Sequence, residues 1–170
     1  MRNLIFLSAV VLTMASCTNV SFVSPQPEFV EPLTEIPEKF QGRFVFSAAS
    51  DDTNEDVNII TTTTINGMDI SPDSVVVKTR GNYFYLNFLD AKGNYELYVY
   101  KTVRYLDYEK IYAVFPNLKK EQVHLFNVFD DWNCNNGKQY YLLDNVTVNQ
   151  FNLLVNSAAA DEQVELKRLK

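Results

Sequence analysis

The sequence predicts a mainly β protein: an antiparallel up-and-down meander of about eight strands, in a barrel or curved sheet, with one C-terminal helix and a final short strand. Two observations predict it. From Gln41 onward, β-branched and aromatic residues alternate with polar ones in short runs separated by Gly, Asn, Asp and Pro. At Thr147 the apolar period lengthens to that of a helix, and it returns to alternation near Val164.

Arg43-Phe44-Val45-Phe46 opens the series, and a polar loop over residues 49–56 separates it from the run 57–65. That run reads as one strand, with Val57, Ile59, Thr61, Thr63 and Ile65 on one face. Asn66-Gly67 and Ser71-Pro72-Asp73 are turn sequences, and residues 74–80 form the next strand. After Gly81-Asn82, Phe84, Leu86 and Phe88 alternate with Tyr83, Tyr85 and Asn87. Lys92-Gly93-Asn94 closes a hairpin into Leu97, Val99 and Val103, which oppose Glu96, Tyr98 and Tyr100. Residues 106–109 turn into 111–115, and Pro116-Asn117 turns again. Val123, Leu125, Asn127 and Phe129 alternate with His124, Phe126 and Val128, and Asn135-Asn136-Gly137 leads into 139–143. Short turns between successive strands imply antiparallel neighbours.

Thr147-Val148-Asn149-Gln150 has the form of a capping box, with the threonine oxygen placed for a helix amide and Gln150 placed to reach back. Val148, Phe151, Leu154, Val155 and Ala158 follow at helical spacing, so a short amphipathic helix is expected. Val164-Glu165-Leu166-Lys167 alternates again, as a last strand.

Ahead of the domain, Pro25, Pro27, Pro32 and Pro37 are interspersed with Glu28, Glu31, Glu35 and Glu38, without a base before Lys39. Proline removes backbone donors and like charges repel, so residues 17–38 read as an extended tether and 39–170 as a single β domain. The alternative is that Phe22, Phe29, Val30 and Leu33 dock onto that domain.

Residues 1–17 carry one base, Arg2, then an apolar stretch too short to span a bilayer, then Ala15-Ser16-Cys17. This resembles a bacterial lipoprotein signal peptide, with Met14 where leucine is usual. The resemblance implies cleavage of residues 1–16, acylation of Cys17 and attachment to the cell envelope, with the outer membrane the expected address. The order of later elements is similar to the lipocalin-like, or calycin, barrel. Phe40-Gln41-Gly42-Arg43-Phe44 is similar to the glycine-x-tryptophan signature at which such barrels begin, with Phe44 in place of tryptophan. The sequence offers no clear late arginine to cap Phe44. A β-sandwich or an open curved sheet fits the same pattern, and a barrel interior could be filled or could hold one small ligand.

Composition limits the function. With 15 bases against 21 acids the chain carries a net charge of −6, and no basic patch is evident in the sequence, so nucleic acid is not an expected partner. Of the two cysteines, acylation of Cys17 would leave Cys134 without an intramolecular partner. Cys134 has no Lys, Arg or His close by in sequence to activate its thiol, so an inert side chain is expected. His124 is the single histidine, and no GxSxG, HExxH or phosphate-cradling glycine loop is present. Asp52, Asn54 and Asp56 alternate as in the opening of a calcium loop but lack its glycine and distant glutamate, so no metal or other cofactor is expected.

Tyr83, Tyr85, Tyr98, Tyr100 and Tyr112 are expected on one face across three strands, as a platform for a glycan or protein partner. The expected function is a membrane-anchored lipoprotein, attached through an N-terminal lipid, whose domain binds or supports an envelope assembly without catalysis. The alternative is a lipocalin-like carrier of a small apolar ligand; an envelope enzyme would require His124 in a pocket beside a carboxylate.

Overall fold

The computed structural model describes residues 19–46, 57–106, 108–133, 139–161 and 163–169. Cys17, Cys134 and the acidic loop with Asp52, Asn54 and Asp56 lie outside the described residues. Those described form a mainly β domain built on one large mixed sheet, with the strands β1 (Asn19–Phe22), β2 (Gly42–Phe46), β3 (Asn58–Ile60), β4 (Thr64–Ile65), β5 (Met68–Asp69) and β6 (Val75–Arg80). They continue through β7 (Tyr83–Leu89), β8 (Tyr95–Arg104), β9 (Glu109–Val114), β10 (Val128–Asn133) and β11 (Gln139–Leu143) to the helix α1 (Val148–Asp161) and β12 (Gln163–Leu169).

The sheet forks at β8. One edge of β8 pairs with β7 along its length, and β7 carries β6. The other edge is divided: Tyr95 and Glu96 pair with β1, and residues 99–104 pair with β9. From β1 a short arm continues through β11 to β10; from β9 a long arm continues through β12, β2, β3 and β4 to β5. The expected barrel is not found. Among the described residues the outer end of the long arm pairs with β6 only through one bridge, Ile70 to Val75, and no ladder closes it. Nor is the sheet a pure antiparallel meander, because β1 runs parallel to β11.

That parallel strand overturns the tether. Val20 and Phe22 are buried, Ile36 and Phe40 are buried farther on, and the stretch between them lies along β6 and β7. Its backbone is held at Leu33, which donates to the Val77 carbonyl at 2.7 Å, and at Ile36, which donates to the Thr62 carbonyl at 2.8 Å. The buried amide of Asn87 clasps Gln26, and the Lys78 ammonium donates to the carbonyls of Pro25 and Pro27 at 2.8 and 2.9 Å. Prolines supply no amide hydrogens, but their carbonyls remain acceptors, and here side chains from the sheet satisfy them.

Two cores fill the two faces of β6 to β9. On one face, Tyr85, Leu97, Val99 and Val114 meet Phe151, Leu154, Val155 and Ala158 of α1. On the other, Phe84, Leu86, Tyr100 and Ala113 meet Phe44, Ile60 and Ile65 of the long arm, with Ile36 and Phe40 beneath. Phe84, Leu86, Phe88 and Phe115 thus lie with one core, and Leu97 and Val99 with the other.

The helix begins as its capping box predicts. The Thr147 backbone N–H donates to Oε1 of Gln150 at 2.8 Å, and the Gln150 N–H reaches back to Thr147 Oγ1. The expected strand through Val123 and Leu125 is instead a turn of 3-10 helix, Lys120–Leu125, and the expected strand 57–65 is broken by a turn at 61–63. None of the described helices is long and apolar enough to cross a membrane.

Candidate functional site

The curled part of the sheet has a closed end and an open end. At the closed end Phe40 stacks on Phe84 with ring centroids 4.3 Å apart. Arg168, on the last strand, lies over the Phe44 ring at 5.2 Å and donates to the carbonyls of Lys39 and Gln41 at 2.8 and 2.9 Å. Here is the late arginine that the sequence did not reveal. Its partners lie more than a hundred positions away, and Val164-Glu165-Leu166-Lys167-Arg168 gives no local sign of which base reaches across to them. Gly42 makes the fit. Its φ is +138°, and a Cβ there would stand 3.3 Å from Arg168 Nε and 3.6 Å from the Phe44 ring.

At the open end, Phe46, Ile65, Phe88, Tyr98 and Tyr100 line a cleft of about 330 Å³, with Asn58, Asn66 and Glu96 at its polar margin. The aromatic wall is ordered by edge-to-face contacts: Phe88 meets Tyr98 at 5.4 Å, and Tyr98 meets Phe115 at 6.3 Å. Such contacts fix ring orientation while leaving faces exposed to a ligand. Tyr98 ionises above its ordinary range, first because it is desolvated and then because the Glu96 carboxylate beside it accepts its hydrogen bond. Asn66 is fixed as well; its Oδ1 accepts from the Ile59 N–H at 2.7 Å and its Nδ2 donates to Asn58 Oδ1 at 3.2 Å.

The five tyrosines do not share a face. Tyr85 stands opposite Val99, while Leu86 stands opposite Tyr98 and Phe84 opposite Tyr100. Tyr83 and Tyr85 thus belong to the helix-covered side, Tyr98 and Tyr100 to the other, and Tyr112 lies across from Lys101 with its hydroxyl 3.3 Å from that of Tyr105. Tyr85 and Tyr100 are both core residues, and burial pushes each hydroxyl up to about 12. Only Tyr98 and Tyr100 reach the cleft.

His124 is exposed on its 3-10 turn rather than set in a strand. Among the described residues no three His, Cys, Asp or Glu side chains gather closely enough to hold a metal ion. The chain matches no protein-family model, no curated protein and no solved structure.

Proposed function

We propose that this chain is a lipid-anchored protein of the bacterial cell envelope, held in the outer membrane through Cys17, whose β domain binds a ligand or partner without catalysing a reaction. The anchor is supported by the sequence of residues 1–17. The observation that carries the binding role is the open-end cleft, where an ordered aromatic wall stands beside amide and carboxylate groups. Apolar rings with a few fixed polar groups suit a ligand that has a flat face and hydrogen-bonding edges, such as a sugar ring or an aromatic peptide side chain.

The test is titration of the purified protein with a panel of oligosaccharides and aromatic peptides, alongside Tyr98→Ala and Phe88→Ala. Saturable binding weakened at least about tenfold in both variants, with unchanged thermal unfolding of the remaining fold, is the expected result. Absence of saturable binding, or binding indifferent to both substitutions, overturns the role given to the cleft.

The lipocalin-like carrier is a second reading, favoured by Arg168 over Phe44, the cap that the resemblance calls for. Native mass spectrometry separates the two. A carrier retains a stoichiometric apolar ligand through purification, whereas a module that engages external partners arrives empty.

A further inference from the structure

We propose that the closed end of the domain, led by the β8–β9 hairpin, rests on the lipid bilayer and that the open-end cleft faces away from it. This inference rests on acylation of Cys17.

The first argument is direction. β1 is antiparallel to β8, with Ser21 opposite Glu96 and Phe22 opposite Tyr95, so β1, followed back from Phe22 to Asn19, points the way β8 runs toward Arg104. The second is reach. From Ser21 back to Cys17 the chain spans at most about 14 Å. From Glu96 to Arg104 the strand covers about 26 Å. The end of β8 therefore lies at least about 12 Å farther in that direction than Cys17 can reach. β1 itself is fixed in the sheet, paired with β11 along its length and with β8 at Ser21 and Phe22. A bilayer that holds Cys17 meets this hairpin as the domain settles.

The third argument is the chemistry of that tip. Leu106 is fully exposed, and Tyr105 and Tyr108 are exposed and stacked on each other at 4.8 Å. An isolated leucine between tyrosines, uncovered among the described residues, suits the headgroup boundary, where amphipathic rings reside. Around it, Arg43, Arg104, Lys110, Lys167 and Arg168 gather at the ends of β2, β8, β9 and β12. Against them stand Glu38 beside Lys39, Asp107 and Glu109 in the hairpin sequence, and Glu165, which is paired with Lys110 at 2.9 Å. In a chain of net charge −6 this is a local excess of bases, and it favours anionic headgroups.

The experiment uses the full acylated protein in vesicles of phosphatidylethanolamine and phosphatidylglycerol that carry headgroup nitroxides. In a Cys134→Ser background, a fluorescent label is attached to Leu106→Cys or, as the comparison, to Ala91→Cys in the β7–β8 loop at the opposite end of β8. Flotation with the vesicles reads the anchor, and quenching reads the orientation. The expected result is flotation of both, with the label at 106 quenched several-fold more than the label at 91. Flotation with equal quenching, or with stronger quenching at 91, overturns the orientation and leaves the anchor standing. Failure of the unlabelled protein to float overturns the anchor and the orientation together.

Discussion

Asn87 binds Gln26 as a second strand would: its Oδ1 accepts from the Gln26 backbone N–H at 2.6 Å, and its Nδ2 donates to the Gln26 carbonyl at 2.8 Å. Both residues are buried, so these groups have no access to water in exchange. Asn87→Ala strands a donor and an acceptor of the N-terminal segment. The expected cost is about 3 kcal/mol in urea unfolding, with the stretch before Phe40 opened to limited proteolysis.

The neighbouring Lys78 is 4 % exposed and is held below its ordinary range by desolvation, against the opposing pull of Glu28 and Glu31. Because the folded chain releases this proton more readily than the unfolded one, stability from this residue rises with pH above its folded value and levels off near 10.5, the value in the unfolded chain. Lys78→Met should flatten that rise. It should also loosen Pro25 and Pro27, whose carbonyls lose their donor. Chemical denaturation at a series of alkaline pH values measures the first effect, and hydrogen exchange in residues 20–36 measures the second.

Tyr85 and Tyr100 work in the opposite direction. Their hydroxyls are pushed up to about 12 from the ordinary 10.0, so the unfolded chain ionises first. Their stabilising contribution is complete below pH 10 and is lost between about 10 and 12. The alkaline unfolding limb should become shallower in Tyr85→Phe and in Tyr100→Phe, and shallowest in the double variant.

Arg168 and Gly42 form one unit at the closed end, and they should respond as one. Arg168→Ala removes two hydrogen bonds and the cover of Phe44, for about 2 kcal/mol. Gly42→Ala forces a Cβ toward the guanidinium at an unfavourable φ, for about 1–2 kcal/mol. In the double variant the collision is relieved, so the two losses should sum to less than their separate values. A double-mutant cycle measures the difference.

Thr147→Ala should cost about 1 kcal/mol through loss of the helix cap. The same residue is part of a legible pattern: the capping box, the buried stripe of Phe151, Leu154, Val155 and Ala158, and the alternation of β12 are all local, and local physics dictates them. The tyrosine faces were not legible for an identifiable reason. Leu89 pairs with Tyr95 across the loop 90–94, a register that places Tyr85 opposite Val99 and Leu86 opposite Tyr98. Alternation reveals a face only when one side is wet, and here both sides of β7 and β8 are covered. The docking of residues 19–40 was hidden differently. It depends on the carbonyls of Pro25 and Pro27 meeting Lys78 and on the backbone of Gln26 meeting Asn87, partners too far along the chain for any spacing to signal. In the cleft, Phe88 and Tyr98 are neighbours across the β7–β8 ladder, and the long arm's curl brings Phe46 to them.

The parallel seating of β1 has a consequence for the order in which the molecule matures. The slot for Asn19–Phe22 lies between β8 and β11, and one wall of it does not exist until Leu143 has been made. A ribosome delivers the amino end first, so Asn19–Phe22 waits, unhoused, for most of the polypeptide to emerge. Final locking of the fold is thereby postponed until the last strand of the short arm has been made.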